Sequence, residues 1–75
     1  MDYQVDKQFG AQLRAIREKR SLTQWQLSAM LQVQGVDLTR SALAKIEVGQ
    51  RHIYIDELLA IQKALDIPFS ELLDI

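Results

Sequence analysis

The chain has 75 residues, of which 48% are hydrophobic, no cysteine and a formal net charge of −1. A fold of this length buries only roughly 60–65% of the surface that its unfolded chain exposes, which predicts one domain over residues 1–75 and argues against an elaborate enzyme cleft. The lack of cysteine excludes disulfides and thiolate metal sites. The longest apolar run, Leu58-Leu59-Ala60-Ile61, is too short to span a membrane, and the first residues lack a signal-peptide pattern. We therefore expect a soluble, cytoplasmic protein with no membrane partner.

Charge is distributed unevenly along the chain. Residues 14–51 carry seven basic side chains against three acidic ones, a net charge of +4. In the C-terminal third, five acidic side chains face one lysine, a net charge of −4. Phosphate neutralisation requires lysine and arginine, so the basic middle is compatible with nucleic-acid binding although the whole chain is slightly acidic. The alternative is ordinary solvated charge.

The apolar residues near the N-terminus predict an amphipathic helix. Val5, Phe9, Leu13 and Ile16 recur at spacings of four, four and three residues, the stripe of one helix face. This pattern places a first helix at about residues 6–19.

A second helix has both a start and a stop signal. Thr23 offers a hydroxyl to an unpaired backbone amide, and Gln26 stands three residues later, which is the spacing of a capping box. We therefore expect the helix to begin directly after Thr23. Leu27 and Leu31 are its predicted buried positions, and Gly35 is its predicted end.

Three further helices are predicted. Thr39 is suited to cap a third helix that runs to about Glu47 and ends at Gly49. Asp56 is suited to cap a fourth, and Pro68, favoured in the first turn of a helix, opens a short fifth. No segment alternates as a strand does. The predicted fold is all-α, with five short helices.

Several of these motifs occur in a known order. They are Leu13-Arg14-Ala15-Ile16-Arg17, Leu22-Thr23-Gln24, Leu27, Leu31, Ser41-Ala42-Leu43, Ile46-Glu47 with Gly49, and Ala64-Leu65-Asp66-Ile67 with Glu71-Leu72-Leu73. This set resembles the helix-turn-helix domain of the phage repressor and Cro family, also called the xenobiotic-response-element family, over about four fifths of the chain. The resemblance implies a lambda-repressor-like fold in which helices two and three form the helix-turn-helix and helix three binds the major groove of double-stranded DNA.

The connection between helices two and three departs from the family pattern. The family joins these helices by a tight turn containing Gly, whereas the segment from Leu31 to Thr39 is about five residues longer. We expect an extra turn on helix two and a wider loop, with Val36 or Leu38 against the core. Helix three is then expected to tilt relative to the usual arrangement.

The resemblance assigns DNA contacts to individual residues. Arg40, Ser41 and Lys45 match the base-contacting positions, and an arginine can bind guanine O6 and N7 with two hydrogen bonds. The implied backbone-contacting or supporting residues are Gln24, Thr39, Gln50 and Arg51. Arg51 is the strongest phosphate candidate among them.

Each assignment has an alternative. Gln24 could be a polar residue that merely suits a helix start, and Thr39 could act as a cap alone. Arg40 and Lys45 could be solvated surface charges.

The family pattern also pairs Arg17 with Glu47. This implies a largely buried ion pair between helix one and the end of helix three, with exposure of both residues as the alternative.

No catalytic or metal site is indicated. His52 has no second His, Cys or close carboxylate at ligand spacing, so we predict no metal site. The sequence also lacks nucleophile-elbow glycines, a Gly-rich phosphate loop and a paired-carboxylate motif. We therefore expect no enzyme activity and no cofactor, and the sequence indicates no small-molecule ligand.

Trp25 is unexpected on the outer side of helix two, where the family has a polar residue. It could form a patch with Ala29 and Met30. We favour the interpretation that the long loop folds back and covers the indole; a partner or dimer contact is the alternative. Tyr54 raises the same question near helix four.

The sequence thus favours a sequence-specific DNA-binding transcriptional regulator, a repressor that acts as a homodimer on an inverted repeat. A protein-interaction module or an antitoxin-type regulator with weak or no specific DNA binding is the alternative. The dimer is expected to be weak and to use the apolar residues of helices four and five, namely Leu59, Ile67, Phe69, Leu73 and Ile75.

Overall fold

The computed structural model describes residues 3–75; Met1 and Asp2, which the predicted domain includes, lie outside the described residues. Within this range the helices are α1 (Tyr3–Lys19), α2 (Gln24–Val33), α3 (Arg40–Glu47), α4 (Ile55–Leu65) and α5 (Phe69–Leu72). Residues 3–75 contain no strand, which confirms the all-α prediction. No helix in this range is long and apolar enough to cross a membrane.

An apolar core lies between the helices. Fully buried side chains come from all five helices and from the α2–α3 loop: Leu13, Leu27, Leu31, Leu38, Leu43, Ile46, Ile61, Leu65 and Leu72. In α1 the predicted stripe is confirmed at Phe9, Leu13 and Ile16, whereas Val5 is exposed. Helix α1 begins earlier than predicted, at Tyr3.

The predicted capping box at the start of α2 is confirmed. The Thr23 hydroxyl oxygen accepts a hydrogen bond from the Gln26 amide at 3.0 Å, and the Gln26 side-chain oxygen accepts one from the Thr23 amide at 2.8 Å. The helix therefore begins at Gln24, and it ends at Val33, just before Gly35.

The predicted limits of α3 are also confirmed. The Thr39 hydroxyl accepts a hydrogen bond from the Ala42 amide at 3.1 Å, and the helix ends at Glu47. Gly49 follows with a φ of +79°, a left-handed conformation that glycine adopts without strain.

The start of α4 differs from the prediction. Tyr54 is the N-cap, and its amide donates a hydrogen bond of 2.9 Å to a carboxylate oxygen of Glu57. Asp56 is therefore not the cap; it lies in the first turn, where a negative charge interacts favourably with the helix dipole. Pro68 likewise precedes α5 as its N-cap rather than lying within its first turn.

The long α2–α3 connection is fixed against the rest of the protein. Leu38 is fully buried, as predicted for this loop, and its carbonyl accepts a hydrogen bond of 2.7 Å from the Ser28 hydroxyl. At the other end, the Gln34 side chain donates a hydrogen bond of 3.0 Å to the Ala60 carbonyl in α4. The loop therefore holds α3 in a defined position relative to α2 and α4.

Helix α1 crosses the end of α3 in direct backbone contact. A Cβ atom at Gly10 would overlap the carbonyl oxygen of Ile46 and lie 2.7 Å from that of Glu47. Only glycine allows this approach, so Gly10 sets the distance between the two helices.

Candidate nucleic-acid interface

The outer side of α3 presents unpaired polar and basic groups. Arg40, Ser41 and Lys45 are all exposed, and their spacing puts them outside the side of the helix that Leu43 and Ile46 bury. Neither Arg40 nor Lys45 forms an ion pair or a side-chain hydrogen bond with any described residue. This side of α3 therefore carries two uncompensated positive charges.

Thr39, the N-cap of α3, can both accept the capping hydrogen bond and donate a second hydrogen bond. Its hydroxyl oxygen already accepts the capping hydrogen bond from Ala42, but this does not use the hydroxyl hydrogen. Because Thr39 is exposed, that hydrogen remains available for donation to an acceptor in solvent or on a ligand.

A buried ion pair between Arg17 of α1 and Glu47 holds the C-terminal end of α3 against α1. The Arg17 Nε lies 2.7 Å from Glu47 Oε2 and Nη2 lies 3.0 Å from Oε1, and the side chains are only 9% and 1% exposed. The hydrogen bonds with Glu47 raise the pKa of Arg17 above its usual value against the opposing effect of burial. Arg17 also donates to the Leu22 carbonyl at 2.7 Å, so the pair links α1, the start of the helix-turn-helix and the end of α3.

Gln24 belongs to this buried cluster. Its side-chain amide donates a hydrogen bond of 3.0 Å to Glu47 Oε1, and the residue is half-buried. Of the two roles implied by the resemblance, this geometry favours support over phosphate contact, although the supported group is Glu47 rather than a base-contacting side chain.

Arg51 has a protein partner. Its two terminal nitrogens donate to the two carboxylate oxygens of Glu57 at 2.8 and 2.9 Å, and its guanidinium carbon lies 5.3 Å from the centre of the Tyr54 ring. The hydrogen bonds with Glu57 raise the pKa of Arg51 above its usual value, although burial opposes this. Its charge is therefore compensated within the protein, unlike the charges on α3. The phosphate contact of Arg51 stays a prediction, in which DNA has to compete with Glu57.

The sequence indicated no partner for His52, but the fold provides one. Its Nδ1 lies 2.6 Å from a carboxylate oxygen of Asp6, which is buried and 46 positions away in the chain. Nearby, a Cβ atom at Gly49 would lie 2.8 Å from the Lys7 Cα, so α1 contacts the loop of residues 48–54 closely. These contacts fix the loop that follows α3.

Gln50 lies within this fixed loop. Its backbone amide donates a hydrogen bond of 2.8 Å to the Lys45 carbonyl, while its side chain is exposed and has no partner among the described residues. The structure thus brings Gln50 to the C-terminal end of α3 with a free amide group.

The buried carboxylate of Glu57 makes stability depend on acid pH. Burial opposes its ionisation, but hydrogen bonds from Arg51 and the Tyr54 amide outweigh burial and lower the pKa of Glu57 below the usual 4.5. Because the pKa of Glu57 is lower in the folded state than in the unfolded state, ionised Glu57 stabilises the fold above pH 4.5. This stabilisation is lost as the pH falls through the folded-state pKa.

We expect Glu57→Gln to unfold at a lower temperature than the parent at neutral pH and to lose less stability on acidification. Thermal unfolding followed from about pH 7 to about pH 3 checks this, and parallel pH profiles for the two proteins would contradict it.

The expectation that the loop covers Trp25 is wrong. The indole residue is 69% exposed, because Leu38 and Gln34 hold the loop against the core and α4 instead. Tyr54 is also mostly exposed, with one face near the Arg51 guanidinium.

The apolar residues of the C-terminal region divide into two groups. Ile67 is only 3% exposed, so it belongs to the core rather than to a free surface, because it is enclosed between α4 and α5. The remaining predicted residues are exposed: Leu59, Phe69, Leu73 and Ile75.

Sequence reasoning missed Glu57, Asp6 and Gly10. Glu57 had a usable signal, since a glutamate three residues after a non-helical residue can bind that residue's amide. Asp6 and Gly10 had none, because their partners are distant in the chain.

Two consecutive helices, α2 and α3, with the unpaired cations of the second facing solvent, define this molecule as a helix-turn-helix DNA-binding domain. The family model for helix-turn-helix domains matches residues 13–72, and the chain belongs to this family, of the phage repressor and Cro type, with its all-α, lambda-repressor-like fold. The family comprises DNA-binding regulators and is not an enzyme family. Comparisons with curated proteins and with solved structures give no match.

Proposed function

We propose that this protein is a cytoplasmic, sequence-specific repressor that binds an inverted repeat of double-stranded DNA as a homodimer, with α3 in the major groove. The proposal rests on one observation: two cations, Arg40 and Lys45, lie beside Ser41 on the outer side of α3 and have no partner among the described residues. These residues match the base-contacting positions of the family. Arg40 is suited to bind guanine through two hydrogen bonds, and Lys45 donates to base acceptors as a point charge.

The pairing of the other arginines sharpens this assignment. Within the described chain their partners are Glu18 for Arg14, Glu47 for Arg17, the Leu65 carbonyl for Arg20 and Glu57 for Arg51. Arg17 and Arg51 are thus compensated by buried carboxylates, whereas Arg40 and Lys45 on α3 keep their full charge for a polyanion.

Selection from a random duplex library with the purified protein tests the class of function. Enrichment of a palindromic motif is the expected result, because a symmetric dimer binds two equivalent half-sites about 34 Å apart. If no sequence is enriched, the proposal fails. That outcome would favour a protein-interaction module that uses the exposed apolar residues of the C-terminal region.

Base-contacting and phosphate-contacting residues have different expected effects. Arg40→Ala and Lys45→Ala should each weaken binding to the selected sequence by roughly 1–3 kcal/mol and relax the preference for particular bases. Arg51→Ala should weaken binding to all sequences alike, but it should reduce the salt dependence by less than one unit because Glu57 already compensates its charge. Binding to matched and mismatched duplexes over a range of salt concentrations checks this. Uniform losses for all three variants would contradict the assignment of base contacts to α3.

Neutral donors at the two ends of α3 complete the proposed interface. The free hydroxyl hydrogen of Thr39 and the exposed amide of Gln50 are suited to donate to phosphate oxygens on either side of the base contacts. These contacts would fix the position of α3 on the duplex.

The proposed dimer uses the exposed apolar residues of the C-terminal region. One copy offers a single recognition helix of eight residues, so a second copy doubles the number of base contacts. Acidic residues in the same region, Glu71 and Asp74, repel their counterparts across a symmetric interface. We therefore propose a weak dimer that forms on DNA.

Leu73→Asp is expected to lower operator affinity without unfolding the domain, because Leu73 is 43% exposed. Its neighbour provides the matched control, since Leu72 is fully buried and Leu72→Asp should unfold the protein. Operator binding, circular dichroism and sedimentation with DNA check both variants. One copy per full operator in sedimentation would reject the dimer.

A further inference from the structure

Trp25 combines a large apolar side chain with unusual exposure. It lies between two shallow grooves on the helix-turn-helix surface. The first groove runs between α2 and the start of α3, and its lining includes Trp25, Ala29, Gln32, Thr39, Arg40 and Ser41. The second leads from the start of α2 towards α1, and Trp25 and Arg40 line it as well.

The charge around Trp25 indicates the kind of molecule that these grooves accept. No acidic residue of the described chain lines either groove, whereas Arg14, Arg17 and Arg40 do. Arg17 is neutralised by Glu47, but Arg40 is unpaired, and Arg14 has only an exposed contact of 3.6 Å with Glu18. Such exposed pairs are weak, so Arg14 is free to turn towards another anion. A polyanion therefore fits this surface.

The other exposed aromatic residues have different surroundings. Tyr54 is followed by Asp56 and Glu57, and the Arg51 guanidinium beside its ring is already neutralised by Glu57. The indole of Trp25 instead adjoins Arg40, the first residue of α3 and a proposed base-contacting position. In helix-turn-helix complexes the helix before the recognition helix crosses the DNA backbone, so a duplex bound by α3 is expected to pass close to α2, where Trp25 is the second residue.

We propose that Trp25 is a DNA-contacting residue that packs against the sugar-phosphate backbone of the strand passing between α2 and the start of α3. The indole face covers a deoxyribose, and the indole N–H is the group suited to donate to a phosphate oxygen. This inference rests on the proposed DNA binding and adds to it an apolar contact outside the recognition helix.

An apolar contact has a signature that the cationic contacts lack. Trp25 carries no charge, so its contact releases no counterions and does not contribute to the salt dependence of binding. It also touches no base edge, so it does not discriminate between sequences. Trp25→Ala should therefore lower affinity about five- to tenfold for matched and mismatched duplexes alike, with an unchanged salt slope. Arg40→Ala should change both sequence preference and salt slope.

The chain offers a direct probe, because Trp25 is its single tryptophan. We expect the fluorescence of the parent protein to change when the selected duplex is added, and acrylamide quenching of the bound state to fall. Trp25→Phe should retain most of the affinity that Trp25→Ala loses. Val33→Ala is the matched control, since Val33 is an exposed apolar residue at the far end of the same helix and should bind DNA as the parent does.

The outcomes separate this inference from the function on which it rests. If Trp25→Ala binds the selected duplex as tightly as the parent and quenching is unchanged by DNA, the contact is refuted while DNA binding stands. If acrylamide quenching decreases as the protein concentration is raised in the absence of DNA, Trp25 belongs to a protein interface. The proposed contact between Trp25 and DNA is then refuted as well. If the parent binds neither the selected duplex nor a random-sequence duplex at low salt, the proposed function and this inference both fail. Thermal unfolding of Trp25→Ala close to that of the parent excludes a folding defect.

Discussion

Glu47→Ala is expected to lower the free energy of unfolding by about 3–5 kcal/mol. The substitution leaves the Arg17 guanidinium buried without its carboxylate partner and removes the acceptor for the Gln24 amide. An uncompensated buried charge costs far more than a lost surface contact. A domain of this size is expected to have a total stability of about 4–11 kcal/mol, so this loss removes at least about a quarter of the stability and unfolds the variant if the parent lies at the lower end of that range.

The matched control for Glu47→Ala lies on the surface of α1. Glu18 is also paired with an arginine, Arg14, at 3.6 Å, but the side chains are 56% and 58% exposed. Glu18→Ala should therefore cost less than about 1 kcal/mol. Urea and thermal unfolding at neutral pH compare the two variants. A melting curve for Glu47→Ala that coincides with the parent's would refute the energetic role of the buried pair.

Gly10→Ala is expected to destabilise the protein by about 3 kcal/mol, against the usual direction of this substitution. In the interior of a helix, alanine is ordinarily about 1 kcal/mol more favourable than glycine. At this position the added methyl group would overlap the backbone carbonyls of Ile46 and Glu47. Backbone atoms cannot rotate away as a flexible side chain can, so α1 and α3 would have to separate.

The neighbouring position isolates the effect of helix propensity. Ala11 is exposed on the same helix, so Ala11→Gly should cost only about 1 kcal/mol. Thermal unfolding of both variants checks the comparison, and DNA binding of Gly10→Ala shows whether α3 keeps its position. An increase in melting temperature for Gly10→Ala would contradict the close approach of α1 and α3.

Local signals in the sequence determined that there are five helices in this order and where α2 and α3 begin and end. The Thr23 capping box, the Thr39 cap and Gly49 act through atoms a few positions away, so residue type and spacing were sufficient. The period of the apolar residues likewise fixed which side of α3 is buried and left Arg40 on the outer side. Tyr54 was missed as the cap of α4 because its backbone amide, rather than its side chain, makes the stabilising hydrogen bond.

The tertiary structure decided which charged groups remain available. By sequence, Arg40 and Arg51 were equally basic candidates, but only in the fold does Arg51 meet Glu57 while Arg40 stays unpaired. The exposure of Trp25 depended on where the α2–α3 loop is held, and the pairing of His52 with Asp6 depended on how α1 packs against the loop after α3. Hydrogen bonds between neighbours in the chain follow from residue order, whereas burial and charge compensation depend on groups brought together from distant positions. The sequence by itself therefore determined the helix-turn-helix and the exposure of its predicted base-contacting residues, and the packing of the helices decided which of the predicted DNA-contacting groups have no partner within the protein.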